Sequence, residues 1–515
     1  MQEHCRFSTV RIPWQPDGRP MMNTRKAVHG LGPVIAVAVL ATLAAPVAYA
    51  APEQAPQPAA GQRQKPAAPK DDFNGDGFPD VAVAAPGGLV KGVKAGYVAV
   101  MYGSATKPPQ SNQQIIHENT PGFPGTAEAG DEYGAGLATG DLNGDGYTDL
   151  VVGVPGESID ANWNHGSHSV VWGGPNGLAT STRLVDDQGK TVKGGRAVTA
   201  GDFNGDGAAE VVTALSELLS GPFGPDGSAA GKTSVGMRNY RLEDLASGDL
   251  NGDGTADLAV AFTDADVLYD GGAVTVWHGS ASGLGARVFT GYKGLGGENL
   301  DIGDVDRDGV EDLVVGRPRG EFDAMPDIPH AKGGMVTWIP GSAEGPVASR
   351  ALSLNQDSPG VPGTAEDDEI SIDEFGTDVS VGDVDGDGFE DVTAGVPGEM
   401  VGTTKSAGTV TVLRGGAQGL TGAGAKVFGQ GTEGVPGTTE AGDRFGSATR
   451  LADVDRDGKA ELFGSATGED ARAGAVWLFD STAAGVTAAG SVSFGATTLG
   501  MVAAPESLLG KPFSS

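Results

Sequence analysis

With 515 residues, 86 of them glycine and 31 proline, yet 39% hydrophobic and only 20% charged, the chain suits many short strands rather than long helices. A net charge of −33 repels polyanions and so excludes nucleic acid and anionic membranes as partners. Cys5 stands alone, which excludes an intrachain disulfide.

In chain order, Arg25 and Lys26 precede an apolar run at 34–45 that ends on the small-residue site Ala48-Tyr49-Ala50. This is the pattern of a secretory signal peptide, with cleavage expected after Ala50. Pro33 and Pro46 interrupt a run already too short to span a membrane. Residues 1–20 fit poorly ahead of such a peptide, and Met21 or Met22 is an alternative start. The expected location is extracellular. Residues 1–50 are thus an N-terminal extension with signal peptide. Residues 51–70, rich in Ala, Pro and Gln, read as a disordered linker.

From residue 71 to 515 a nine-residue pattern, Asp-x-[Asp/Asn]-x-Asp-Gly-x-x-[Asp/Glu], returns seven times, at starts 69, 61, 47, 55, 79 and 70 residues apart. Intervals of that size fit one four-stranded blade plus its loops. A short apolar run follows each copy, as in Asp149-Leu-Val-Val-Gly-Val-Pro155. An alternating strand comes next, such as Gly96-Tyr-Val-Ala-Val100 or Gly408-Thr-Val-Thr-Val412. Tyr133-Gly134, Phe375-Gly376 and Phe445-Gly446 mark a strand ahead of three of the copies. No strand precedes the first copy. At the other end Ser507-Leu-Leu-Gly-Lys-Pro-Phe513 lines up with the segment at 444–447 but has no acidic loop behind it. The expected fold is all-β: a seven-bladed propeller of four-stranded antiparallel blades, closed by a C-terminal strand that joins the first blade and removes an exposed edge.

The pattern is chemistry as well as punctuation. Calcium takes six to eight oxygen ligands, and this loop offers side chains at positions one, three, five and nine and a backbone carbonyl at seven, with Gly at six for the bend. The candidate ligands are Asp72, Asn74, Asp76, Phe78 and Asp80 in the first loop, and Asp141, Asn143, Asp145, Tyr147 and Asp149 in the second. The third has Asp202, Asn204, Asp206, Ala208 and Glu210, and the fourth Asp249, Asn251, Asp253, Thr255 and Asp257. Asp304, Asp306, Asp308, Val310 and Asp312 form the fifth; Asp383, Asp385, Asp387, Phe389 and Asp391 form the sixth. The seventh is Asp453, Asp455, Asp457, Lys459 and Glu461. Phe78, Tyr147, Ala208, Thr255, Val310, Phe389 and Lys459 would act through their carbonyls. Together the loops hold 24 carboxylates, and up to seven Ca²⁺ would bring the formal charge from −33 to −19. An EF-hand is excluded, because position twelve is Val83 or Val152 in a β-rich run rather than Glu on a helix. Glu210 and Glu461, a methylene longer than Asp, are expected to alter the geometry of their loops.

Aromatic-glycine, Gly-x-Pro and the acidic loop, in that order, resemble the FG-GAP repeat family, which includes the N-terminal propeller of integrin α subunits and secreted bacterial proteins. The resemblance spans residues 71–515. It implies calcium loops on one face and ligand-binding loops on the other, here the repeated segments at 121–128, 359–366 and 434–440. No Gly-x-Ser-x-Gly, His-Glu-x-x-His or phosphate-loop motif occurs, and no catalytic constellation is found. The dispersed histidines are expected at the surface. The favoured function is therefore an extracellular binding or adhesion module, monomeric, with structural calcium and a protein or glycan ligand. One alternative is a hydrolase, since FG-GAP blades accompany the catalytic domain of glycosylphosphatidylinositol-specific phospholipase D, a domain without counterpart here. A carbohydrate-binding propeller using Trp163, Trp172, Trp277 or Trp338 is the other, although their strand settings favour core packing.

Overall fold

The computed structural model describes residues 70–106, 111–159, 165–264, 272–319, 332–366 and 372–514. The signal peptide, the linker up to residue 69 and Trp163 lie outside the described residues.

Seven antiparallel blades follow one another around a central channel of about 380 Å³. The second blade is typical: Gly136–Gly140, Asp149–Val154, Ser167–Trp172 and Thr180–Arg183 pair in chain order from the channel outwards. Blades three to six begin with Val198–Gly201, Tyr240–Gly248, Asn299–Gly303 and Val379–Gly382, and the seventh with Phe445–Ala452. The third blade, whose boundaries the sequence leaves vague, continues with Glu210–Thr213, Glu217–Ser220 and Gly231–Ser234.

The first blade is built from both ends of the chain. Val81–Ala85, Tyr97–Met101 and Gln113–Ile116 supply three strands, and the C-terminal segment supplies the innermost one. Val83 pairs antiparallel with Phe513, the Ala84 N–H donates to Pro512 O (2.9 Å), and the Ser514 N–H donates to Ala82 O (2.8 Å). Closure by residues 507–514 is thus as the sequence implies.

Alternation along the strands has a different meaning from the usual apolar-in, polar-out pattern. Tyr97–Met101 is buried throughout, because a blade has a neighbour on each side. Tyr97, Ala99 and Met101 pack with Val81, Leu509 and Phe513 against the seventh blade's Phe463, Val476 and Leu478. Val98 and Val100 face the opposite way, onto Leu137, Leu150 and Val152 of the second blade. Period two therefore sorts side chains between two inter-blade cores, and each fully buried Val or Leu contributes roughly 1.5–3 kcal/mol. Around the channel, Asp244 accepts the Leu300 N–H (2.8 Å), Asp301 that of Val381 (2.8 Å) and Asp378 that of Thr449 (2.6 Å), tying one innermost strand to the next.

Candidate metal centres

In six blades the acidic pattern is the loop that joins the innermost strand to the second. Position one follows the last residue of the innermost strand, and position nine opens the second strand directly opposite it, as in Gly140↔Asp149, Gly303↔Asp312 and Ala452↔Glu461. Because the blades share one polarity around the ring, all seven loops lie on one face.

Within a loop the side chains turn inward onto their own backbone. Asp72 accepts the N–H groups of Asp76 (3.1 Å) and Gly77 (2.9 Å), and Asn74 also accepts from Asp76 (2.8 Å). Asp76 accepts the N–H of Phe78 at position seven (3.0 Å). The second, third and fourth loops repeat this scheme through Asp141, Asn143 and Asp145, through Asp202, Asn204 and Asp206, and through Asp249, Asn251 and Asp253. Where position three is Asp, three carboxylate oxygens come within 4.8 Å of one another: Asp304, Asp306 and Asp308; Asp383, Asp385 and Asp391; Asp453, Asp455 and Glu461.

Position nine anchors the loop. Asp149 takes the N–H of Leu142 at position two (3.0 Å) and that of Gly173, which follows the third strand (2.8 Å). Gly173 has to be glycine, since a Cβ there would lie 2.2 Å from Thr148 O. Glu210 reaches the same two kinds of donor, Phe203 N (2.9 Å) and Gly221 N (3.3 Å), so the extra methylene is absorbed without losing the anchor. Glu461 keeps the first contact, from Val454 N (3.0 Å), but Ser481 stands where the other blades have that glycine, its Oγ donating to Ala460 O at position eight (2.5 Å).

These anchors are almost fully buried, and burial, helped by the other carboxylates of each loop, at positions one and five or, for Asp312 and Glu461, at position three, pushes them far above the ordinary range. Asp80 rises to about 8, Asp149, Glu210, Asp257 and Asp391 to about 7, Asp312 to about 6 and Glu461 to about 9. Asp312 rises least because Trp338 Nε1 donates to it at 2.8 Å. Two buried oxygens, Asp257 Oδ2 and Asp306 Oδ1, have no hydrogen-bond partner. All-oxygen donors that converge, repel one another and remain partly unpaired fit a hard divalent cation.

The loops also stitch the blades together. The N–H at position eight donates to the position-one carbonyl of the preceding loop in six cases, from Thr148 to Asp72 O (3.1 Å) through to Ala460 to Asp383 O (2.7 Å). At the closing seam position eight is Pro79, which has no N–H, so only the second bond of the series remains, from Ser104 N to the position-two carbonyl Val454 O (2.8 Å), the counterpart of Gly174 N to Phe73 O (2.9 Å). Neighbouring loops touch through side chains too: Arg456 Nη1 donates to Gly77 O (2.7 Å) and Arg307 Nη1 to Asp387 O (2.7 Å).

Basic partners inside the loops escape sequence reasoning. Arg414 bonds both Asp385 and Asp391, the latter at 2.7 Å; Arg350 meets Asp306 at 3.1 Å, and Lys459 meets Asp457 at 2.8 Å. Arg414 closes the third strand of its own blade, and Arg350 enters from the segment behind its third strand, so only the folded register brings them in.

Five segments, 69–101, 133–172, 243–277, 375–413 and 445–479, match the family model described as FG-GAP repeat. The chain contains FG-GAP repeats. They fall on the first, second, fourth, sixth and seventh blades, while the third and fifth have the same strand order and acidic loop without matching. Phosphatidylinositol-glycan-specific phospholipase D of Rattus norvegicus is 31% identical over 159 residues, or 30% of this chain and 18% of that protein. The Bos taurus protein of that name is 29% identical over the same shares. The FG-GAP chain thus aligns with under a fifth of the length of these relatives. Among solved structures, the Dos1 propeller aligns over 64% of this chain and 67% of its own at 11% identity and a TM-score of 0.35. Chaetomium thermophilum Sqt1 aligns over 68% and 70% at 12% identity and a TM-score of 0.36.

Two expectations about side chains need comment. His168 is wholly buried, with burial lowering it to about 4, and so is not a surface histidine; its strand Ser167–Trp172 is enclosed by blades on both sides. Trp172, Trp277 and Trp338 are buried in third strands, as core packing requires. Among the described residues no helix is long and apolar enough to cross a membrane.

Proposed function

We propose that this chain is a secreted, calcium-binding FG-GAP propeller that works as an extracellular binding or adhesion module. The observation that carries the reading is the convergence of buried, partly unpaired carboxylate oxygens in loops that also carry the inter-blade hydrogen bonds. An ion held by positions one, three, five and nine fixes the position-one residue whose carbonyl takes the neighbouring blade's N–H. Calcium thereby acts as a staple between blades rather than as a catalytic metal. At a free concentration 100 times Kd, each such site would add about 2.7 kcal/mol.

Support for secretion comes from the signal-peptide pattern ending at Ala50. The ligand, a protein or glycan, is assigned to the face opposite the acidic loops, where the Pro-Gly segments at 121–128, 359–366 and 434–440 enter their blades. Screening the purified protein on glycan and extracellular-protein arrays, with calcium and with chelator, tests this. Specific, calcium-dependent capture is expected. The names of the relatives favour a second reading, hydrolysis of a glycosylphosphatidylinositol phosphodiester. Turnover of such a substrate that one side-chain substitution abolishes would replace the binding reading with that one.

A further inference from the structure

On the face opposite the acidic loops, a set of three polar side chains, buried or half-buried, recurs at three blade junctions. After the outer strand of one blade comes Glu118, Gln356 or Gln430; ahead of the next innermost strand comes Asp131, Asp373 or Asp443; behind the next second strand comes Glu157, Glu399 or Glu469. The spacing 118–131–157 equals 430–443–469, at 13 and 26 residues, and 373–399 keeps the 26. Contacts repeat as well. Asp131, Asp373 and Asp443 each accept the N–H of the Glu that ends the Pro-Gly segment: Glu128, Glu366 and Glu440. Gly125, Gly363 and Gly437, all with φ between +96° and +109°, press on the residue in the first position; a Cβ there would meet Glu118 Oε1 at 2.5 Å, Gln356 Nε2 at 2.6 Å and Gln430 Nε2 at 3.3 Å.

The junctions differ in one group. Where the first position is Gln, its amide donates to the third: Gln356 Nε2 to Glu399 (2.6 Å) and Gln430 Nε2 to Glu469 (2.8 Å). Glu118 has no such hydrogen to give when ionised. It is 5% exposed, its Oε2 has no hydrogen-bond partner, and its carboxylate lies with those of Asp131 and Glu157 so that one oxygen from each falls within 4.8 Å of the others. Arg183 Nη2 reaches Glu157 Oε1 at 2.9 Å and is the paired cation there. Without an ion, burial and the neighbouring Asp131 push Glu118 up to about 9. With all three ionised, as a bound cation would require, three carboxylates against one guanidinium leave −2.

We propose that Glu118, Asp131 and Glu157 form a binding site for one further divalent cation, at the junction of the first and second blades and on the face opposite the acidic loops. One such ion brings the cluster to neutrality. Carboxylate oxygens alone select a hard cation, and ligands up to 4.8 Å apart can share an ion whose oxygens stand about 2.3–2.6 Å away, the calcium range.

Glu118→Gln tests the site without disturbing the architecture, because it installs the residue that the chain itself uses at 356 and 430. The measurement is calcium bound per chain after equilibrium dialysis of the full-length secreted protein, alongside thermal melting in calcium and in chelator. E118Q is expected to bind one ion fewer than the parent, and to melt higher than the parent in chelator but to gain less from calcium. An unchanged ion count in E118Q overturns the proposal, as does an unchanged calcium-induced shift in melting. Asp141→Asn in the second acidic loop separates the two metal readings. If it removes one ion while E118Q removes none, only this inference fails; the reverse result spares it and counts against metal in that loop.

Discussion

Acidic loops one to four carry Asn at position three, and no arginine or lysine lies within salt-bridge range of their position-one, -five and -nine carboxylates among the described residues. Loops five to seven carry Asp there, and each has one basic partner: Arg350, Arg414 or Lys459. Counted at positions one, three, five and nine, the first group has three carboxyl groups per loop and the second four, less one cation, so with all of them ionised, as a bound cation would require, every loop presents −3. The loops are thus tuned to a common charge, which one divalent ion would reduce to −1. Counting acids alone overstates the charge of the last three loops.

Four perturbations would break or sharpen this comparison. The largest effect is expected where the two groups meet, at the seam between the seventh and first blades. Phe513→Ala leaves a cavity between Val81 and Phe463 and should cost about 3–5 kcal/mol in denaturant unfolding. A variant as stable as the parent would mean that the C-terminal strand does not close the ring. Next, Arg414→Met strips the sixth loop of its guanidinium. In chelator it should lose about 3 kcal/mol, the cost of unpairing a buried charge, and saturating calcium should restore much of that. Equal losses with and without calcium would show that the arginine does not share its carboxylates with an ion.

Asn143→Asp makes the second loop resemble the last three but without their basic partner. It should tighten calcium binding while lowering stability in chelator by about 1 kcal/mol through like-charge repulsion. The most gradual effect is that of pH. Position-nine acids have folded pKa values raised to about 6–9, so the folded chain binds more protons than the unfolded chain. In chelator, their contribution is present below the ordinary carboxylate range, near pH 4, and is lost as pH rises through about 6–9. Melting temperature should therefore fall between pH 5 and about 8 in chelator. Calcium should flatten that slope, and a melting temperature that rises over the same range in chelator would contradict the burial argument.

Local signals carried much of the fold. The acidic pattern, its intervals and the unmatched strand around Phe513 depend on neighbouring residues, and all reappear in the blades. What escaped is information held in register. Arg414 is 29 residues from Asp385, and Arg350 is 44 from Asp306, so nothing local links them. His168 reads as polar, but its strand sits between two blades, which bury both of its faces. The Glu118–Asp131–Glu157 cluster was legible in principle: its spacing repeats at 430–443–469, but only the antiparallel strand order puts all three residues on one face.

The most direct test is elemental analysis of the purified protein after exhaustive dialysis against low-micromolar free calcium. Eight calcium ions per chain are expected, seven from the acidic loops and one from the Glu118 cluster, with seven remaining in E118Q. A folded protein that carries no calcium under those conditions would contradict the account.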